Sequence, residues 1–128
     1  MTRYIPVDAA ILVFRKRIGP HPLIAGGHGK LDGAMKAPAA SWDGVDLHET
    51  VFIKAAVLLR GVAVAHAFED GNKRLAWLLI DFFLDLNGYA LGEIDPHEVN
   101  DVVRAACEHD SITLDGIAAW LERHSEPS

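Results

Sequence analysis

The segment His66-Ala67-Phe68-Glu69-Asp70-Gly71-Asn72-Lys73-Arg74-Leu75-Ala76 decides how the rest of the chain is read. It places an imidazole, two carboxylates, an amide, two cations and a glycine between two apolar stretches. Apolar residues then recur at the spacing of one helix face, at Leu75, Leu78, Leu79, Phe82, Phe83 and Leu86. Asp70-Gly71-Asn72 is typical of a turn, so we expect a helix to begin directly after it.

A helix N-terminus preceded by a glycine favours the binding of an anion, because free N–H groups and the positive end of the helix dipole point at it. Gly71 lets a ligand approach the backbone, Asn72 offers an amide hydrogen bond, and Lys73 and Arg74 add positive charge. These four residues are the predicted binding site for a nucleotide phosphate.

Three further residues of the segment have predicted roles. His66 carries the type of side chain that most often accepts a proton from a hydroxyl group in enzymes. Asp70 offers a hard oxygen ligand to a Mg²⁺ ion that is held mainly by phosphate and water. Phe68 is expected to point into the core as the structural anchor of the motif, so that His66 and Asp70 converge.

His66-x-Phe68-x-Asp70-Gly71-Asn72-Lys73-Arg74 resembles the signature of the Fic/Doc superfamily, H-x-F-x-(D/E)-(G/A)-N-(G/K)-R. Lys73 stands where Fic enzymes carry glycine, and together with Ala76 it matches the Doc branch, the death-on-curing toxins of toxin–antitoxin pairs. Fic enzymes usually carry a second arginine three residues after the first, where this chain has Trp77. We expect the resemblance to extend over nearly the whole chain.

The resemblance implies a Doc-type protein kinase that uses ATP and Mg²⁺ to phosphorylate a hydroxyl, with His66 as general base. The implied target is a threonine of translation elongation factor Tu, and its modification would arrest translation. Lys73 would crowd an α-phosphate and offer a cation to a terminal phosphate. Gly71, where some Doc proteins have alanine, is Fic-like and keeps open the alternative, transfer of AMP by a Fic-like nucleotidyltransferase.

The resemblance also implies a cognate antitoxin with a DNA-binding head and a partly disordered tail that folds on the toxin. The chain lacks the (S/T)-x-x-x-E-(G/N) form of a built-in Fic inhibitory helix. We therefore expect inhibition by a separate protein.

Composition sets the broad class. A chain of 128 residues, half of them hydrophobic, is expected to form one Fic/Doc-like domain over residues 1–128. The net charge of −6 argues against direct binding of nucleic acid. Cys107 is the only cysteine, and the apolar run of residues 75–86 is short and contains Asp81 and Asp85. A cytoplasmic protein without a membrane partner is the expectation.

The remaining sequence predicts an all-α fold, a compact helical bundle. The first two expected helices run from Val7 to Gly19 and from Leu31 to Pro38. The third begins at a capping box at Asp46–Glu49 and ends at Ala65, and the fourth, from Asn72 to Asn87, is expected to be the buried spine. The last two begin at Asp95 and at Thr113, and the second of these ends at Arg123 before a polar tail. Residues 19–33 are rich in glycine and proline and are expected to form a mobile loop. In the family this loop resembles the flap that covers the active site.

Two other classes of protein stay open at this point. A degenerate family member could act only as a binding module, although an intact His66, Asp70, Asn72 and Arg74 argue against it. An unrelated helical protein could use His66 and Asp70 as metal ligands. Their i, i+4 spacing suits a continuous helix, but Gly71-Asn72 indicates that the segment is a turn, and only two ligands are in view.

Overall fold

The computed structural model describes residues 1–108 and 111–128, and this part of the chain is mainly helical. Its helices are α1 (Val7–Arg17), α2 (Gly27–Lys36), α3 (Val51–Ala65), α4 (Asn72–Leu86), α5 (Pro96–Cys107) and α6 (Leu114–Arg123). Two small antiparallel sheets accompany them, β1 (Ser41–Trp42) with β2 (Val45–Asp46) and β3 (Tyr89–Leu91) with β4 (Ser125–Pro127). The prediction of an all-α bundle is confirmed.

Helix α3 is the centre of the bundle. It packs against α2, α4, α5 and α6, and seven of its fifteen residues are buried. Its sequence explains this position, since Lys54 and Arg60 are its only charged residues and small alanines allow close packing on several sides. Arg60 donates hydrogen bonds to the carbonyls of Ala106 and Ile112 and so ties α3 to α5 and to the segment before α6.

Helix α4 is amphipathic, and the expectation that it forms the buried spine is wrong. Its apolar face is buried at Leu75, Leu79 and Phe83. The opposite face, which includes Asp81 and Asp85, is exposed to solvent. Asp81 and Asp85 are four residues apart and lie on the same side of α4, and their charges keep this face outside the core.

The prediction of a capping box at Asp46–Glu49 is also wrong. Helix α3 begins after Thr50, whose hydroxyl accepts a hydrogen bond from the Ile53 N–H at 3.1 Å. Asp46 lies in β2, where its carboxylate pairs with the buried ammonium group of Lys54 at 3.1 Å. A carboxylate that satisfies a buried cation outweighed the local capping pattern.

The glycine- and proline-rich loop is shorter than expected, because Gly27–Gly33 is helical as the first part of α2. Gly26 precedes the helix with a positive φ of 73°. A Cβ added to Gly27 would lie 2.2 Å from the carbonyl oxygen of Ala67. This glycine therefore serves a close approach between α2 and the motif rather than mobility.

The polar tail forms a strand that the sequence did not indicate. β4 pairs with β3 in the register Leu91 with Ser125 and Tyr89 with Pro127. This places the last residues beside the end of α4. In the described ranges, no helix has the length and apolar character needed to cross a bilayer.

Asp81 on α4 gives a prediction for pH-dependent stability. Burial raises the pKa of this carboxyl group, Asp85 raises it further, and Arg17 opposes the shift. The folded state thus binds the proton of Asp81 more tightly than the unfolded state, so this group contributes stability at low pH that is lost as the pH rises through its folded pKa.

Asp81→Asn should therefore increase the free energy of unfolding at pH 7, by less than about 1 kcal/mol because solvent screens an exposed charge. Urea titrations at pH 7 and pH 3 measure the effect, and the gain should vanish at pH 3. Asp101→Asn on the exposed face of α5 is the control. An equal gain at both pH values would contradict the assignment.

Candidate active site

The signature segment forms a tight turn between α3 and α4. His66 ends α3 in the left-handed conformation, with φ 50° and ψ 51°. Gly71 precedes α4 with φ 85°. A left-handed residue at each end reverses the chain within a few residues, and the predicted turn and helix start are confirmed.

The side chain of Asn72 holds this turn closed. Its Oδ1 accepts the Phe68 N–H at 3.0 Å, and its Nδ2 donates to the Phe68 carbonyl at 2.8 Å. The same Nδ2 lies 3.2 Å from Nδ1 of His66. Because Asn72 is only 6% exposed, the loss of these bonds would leave buried polar groups unsatisfied.

This arrangement is not compatible with the hydrogen bond expected from the Asn72 side chain to a phosphate. The amide is already committed inside the turn. The backbone N–H groups of Asn72, Lys73 and Arg74 lie in the first turn of α4, where no carbonyl within the helix can accept them. A phosphate would therefore meet the backbone of Asn72.

The bonds to Phe68 also favour one tautomer of the neutral His66 ring. They fix the orientation of the Asn72 amide, so an N–H group faces Nδ1 of the imidazole. In the neutral ring Nδ1 accepts this N–H, and Nε2 carries the proton. For Nε2 to accept a hydroxyl proton, the ring must change tautomer and give up this long bond, at a cost of about 1 kcal/mol.

Phe68 of the turn lies in the core. Its ring is fully buried and stacks on Phe14 of α1, with 3.6 Å between ring centroids and 4° between planes. The guanidinium of Arg15 lies 5.4 Å from the same ring and donates to the carbonyl of His21. The anchor therefore joins the motif to α1 and to the loop before α2.

Backbone hydrogen bonds fasten the loop of residues 19–26 to the motif. The Ile24 N–H donates to the Ala67 carbonyl at 2.9 Å, and the Glu69 N–H donates to the Pro22 carbonyl at 3.0 Å. Leu23 and Phe68 form an antiparallel bridge. The loop supports the turn through these bonds, and its residues are not among the described residues that line the cleft.

Asp70 and Gly71 form the tip of the turn. The Asp70 Oδ1 accepts the N–H of Gly71 at 2.7 Å, which leaves Oδ2 to face a cation. A Cβ on Gly71 would lie 2.8 Å from Ile18 and 3.2 Å from Phe14. Packing and a positive φ therefore explain why this position holds glycine.

The predicted site residues come together in one cleft of about 520 Å³. His66, Asp70, Gly71, Asn72, Lys73 and Arg74 all line it. The charged side chains are exposed, so a ligand from solvent can reach them. A single carboxylate would suit Mg²⁺ if a phosphate bound beside it, because Mg²⁺ binds one or two carboxylates together with phosphate and water.

Sequence reasoning missed the rest of the lining. Ala63 from α3, Trp77 from α4 and four residues from α5 complete the cleft, the last being Pro96, Val99, Asn100 and Val103. Trp77 follows Arg74 by three residues and so lies on the same helix face, which is a signal that the sequence did contain. The approach of α5 depends on tertiary packing and had no local signal.

Comparison with known proteins identifies this arrangement. The model of the Fic/DOC family matches residues 8–84, which include α1 to α3, the whole turn and most of α4. The chain belongs to the Fic/DOC family. It is also 41% identical over 99 residues to Toxin Doc of Mycolicibacterium smegmatis, a match that covers 72% of this chain and 76% of that protein.

The Fic/DOC match includes every predicted site residue and ends at Leu84, before α5. The part of the cleft contributed by α5 therefore lies outside the matched range. The alternative of an unrelated metal protein is set aside by the family assignment. Across the described ranges, no three histidine, cysteine, aspartate or glutamate side chains form a group able to hold a metal ion.

Proposed function

We propose that this protein is a Doc-like toxin that transfers the terminal phosphoryl group of ATP to a hydroxyl of a target protein. The observation that carries the proposal is the position of His66 in the same cleft as the N-terminus of α4, together with Lys73 and Arg74. The similarity to Toxin Doc supports the Doc branch. A threonine of elongation factor Tu is the proposed target, and arrest of translation the consequence.

In phosphoryl transfer these residues position the reacting groups and stabilise the charge on the phosphates. The first N–H groups of α4, Lys73 and the planar fork of Arg74 bind and orient the phosphates. Asp70 would hold a Mg²⁺ ion, which neutralises phosphate charge when bound. His66 accepts the proton as the target oxygen attacks the γ-phosphorus, and ADP leaves.

The alternative reaction is transfer of AMP by attack at the α-phosphorus. Gly71 is the feature that favours it, since Fic enzymes share this glycine. In this structure a Cβ at position 71 would clash with Ile18 and Phe14, and the positive φ also favours glycine, so the fold already accounts for the residue. Gly71 therefore adds little support to AMP transfer, and Lys73 is the main argument for transfer of the γ-phosphoryl group instead.

Radiolabelled ATP distinguishes the two reactions. The purified protein is incubated with elongation factor Tu and ATP labelled at either the α or the γ phosphorus. We expect only the γ label on the target. Appearance of the α label would contradict the kinase, and absence of both labels from the target would reject elongation factor Tu as target.

Two variants of Lys73 separate its size from its charge. Lys73→Gly should abolish γ-label transfer, because both the cation and the side chain that crowds an α-phosphate are lost. Lys73→Met keeps the bulk and removes the charge, so it should lower γ-transfer at least tenfold without producing α-transfer, in line with about 1.5–3 kcal/mol for a hydrogen bond to a charged group. Unchanged γ-transfer in Lys73→Met would reject a role for the charge.

A cognate antitoxin is part of the proposal. It would carry a DNA-binding head and a tail that folds on this chain, and the protein would be cytoplasmic. Expression of the chain alone should arrest growth, and co-expression of its cognate antitoxin should restore growth. Continued growth on expression of the chain alone, with soluble protein present, would contradict a toxin.

A further inference from the structure

The β1–β2 hairpin has its apolar side chains on the face that points to solvent. Trp42 of β1 lies directly opposite Val45 of β2, so the two side chains share one face of the hairpin. Leu47 follows Val45 by two residues and its N–H donates to the Ala40 carbonyl, which places Leu47 on the same face. The exposed fractions are 78% for Trp42, 65% for Val45 and 59% for Leu47. We call these three residues the outer hairpin face.

The other face of the hairpin explains this orientation. Ser41 and Asp46 lie opposite each other on it, and the Asp46 carboxylate binds the buried ammonium group of Lys54. A register shifted by one residue would turn the apolar side chains inward but leave that ammonium group without its carboxylate. The ion pair therefore keeps the apolar side chains in solvent, although a sheet normally turns its apolar face to the core. A contiguous exposed apolar patch is typical of an interaction site.

A second cleft, of about 610 Å³, adjoins the outer hairpin face and contains carboxylates. Leu47 lines this cleft and so belongs to both surfaces. Glu49, just before α3, and Asp115, in the first turn of α6, also line it and are exposed. Arg60 lies in the same lining, but its guanidinium donates to two backbone carbonyls. Ion pairs among the described residues include neither Glu49 nor Asp115, so both can bind a cation from solvent.

Negative charge flanks the outer hairpin face at both ends. Asp43 is exposed at the tip of the hairpin, and the carboxylates of the second cleft lie at the other end. A second copy of the chain, placed on this face by two-fold symmetry, would bring carboxylates against carboxylates. Like charges that meet across an interface oppose association, whereas cations would complement this surface. The charge pattern therefore favours a different, basic partner over a second copy.

We propose that the outer hairpin face and the second cleft together dock a segment of a partner protein that carries lysine or arginine beside apolar side chains. The apolar side chains pack on Trp42, a residue type that often dominates the binding energy of interfaces. The cation enters the second cleft and binds Glu49 and Asp115, and an arginine can do so with two parallel hydrogen bonds.

This docking surface is separate from the candidate active site. Lys54, which binds the hairpin, precedes His66 by twelve residues along α3 and its C-terminal cap. At 1.5 Å of rise per residue, the two positions are about 18 Å apart along the helix axis. The proposal is therefore independent of the proposed function, and a docked segment leaves the nucleotide cleft free.

A random peptide library displayed on phage tests the chemistry of the partner without assuming its identity. The library is selected on the immobilised wild-type protein, and the enriched sequences are compared with the starting library. We expect the enriched peptides to share apolar residues next to lysine or arginine. Enrichment of acidic peptides, or no enrichment at all, would overturn the proposal.

Calorimetric titration of a synthetic peptide with the enriched sequence locates its binding surface. Trp42→Ser should weaken binding about 30-fold or more, as expected for truncation of a tryptophan at the centre of an interface. Glu49→Gln and Asp115→Asn should each weaken it about two- to fivefold, and these smaller losses should shrink at high salt. Val45→Thr keeps the shape of the side chain and should give a loss smaller than that of Trp42→Ser.

Leu12→Ser is the matched control, because Leu12 is 54% exposed on α1 and lies outside the hairpin and the second cleft. It should bind the peptide as the wild type does. All these side chains except that of Asp115 lie outside helix first turns and the core, and each variant should keep the thermal unfolding midpoint within a few degrees of the wild type. Peptide binding that is unchanged in both Trp42→Ser and Val45→Thr would overturn the proposal.

Sedimentation velocity of the free protein distinguishes a partner from a second copy. We expect the wild type and Trp42→Ser to sediment as monomers at the concentrations of the titration. A wild-type dimer that Trp42→Ser converts to a monomer would overturn the proposal in favour of self-association through the outer hairpin face.

Discussion

Replacement of His66 by asparagine is expected to lower the rate of phosphoryl transfer about 100- to 10,000-fold, the usual contribution of a positioned general base. Asparagine suits this position because, after glycine, it is among the residues that best tolerate the left-handed conformation found at His66. The free energy of unfolding should therefore stay within about 0.5 kcal/mol of the wild-type value. Label transfer and thermal unfolding measured on the same preparation check both parts.

His28→Asn is the control for this variant, since His28 is exposed on α2 and lies outside the cleft lining. It should transfer label at the wild-type rate. His66→Tyr offers a test in cells, where the soluble variant should no longer arrest growth. Growth arrest by His66→Tyr or His66→Asn would reject His66 as the base.

Truncation of Phe68 to alanine is expected to give the largest loss of stability, about 3–5 kcal/mol, because it leaves a cavity where a fully buried ring stacked on Phe14. The midpoint of thermal unfolding should fall by about 10–20 °C. Phe82→Ala on the partly exposed face of α4 is the control and should cost less than about 1.5 kcal/mol.

The Phe68 variant also tests whether the anchor positions the site. Label transfer should be measured well below the unfolding midpoint, where the variant is folded. We expect activity lower than the folded fraction predicts, because the turn between His66 and Asp70 has lost its attachment to α1. Full activity of Phe68→Ala at low temperature would mean that the Asn72 bonds alone hold the turn. The activity of Phe68→Leu should fall between those of the wild type and Phe68→Ala.

The sequence predicted the parts of the fold that depend on local signals. Helix α4 begins after Gly71, and α5 begins with Asp95 as cap and Pro96 in its first turn, as their residue types indicate. The predicted start of α3 was wrong because the Asp46 carboxylate pairs with Lys54, eight residues further along the chain, and does not cap the helix. The interpretation of Gly27 was wrong because its nearest neighbour, Ala67, is forty residues away in sequence. Contacts at such separations leave no local pattern.

The candidate site shows the same division between local and tertiary information. The motif predicted which residues meet in the cleft, and His66, Asp70, Lys73 and Arg74 all line it. The motif did not reveal that Asn72 binds Phe68 instead of solvent or ligand, since an amide can do either. Nor did it indicate Asn100, because the packing of α5 on α3 and α4 brings that residue to the cleft.

The Asn72 amide ties the two ends of the turn from His66 to Asn72 together. Fixing a backbone residue costs roughly 1–2 kcal/mol of conformational entropy, and bonds within the turn place that loss in folding. A nucleotide that binds as proposed would therefore meet a preorganised turn and lose little affinity to loop ordering. A small polyanion could then bind tightly even though the charged side chains of the site are exposed to water.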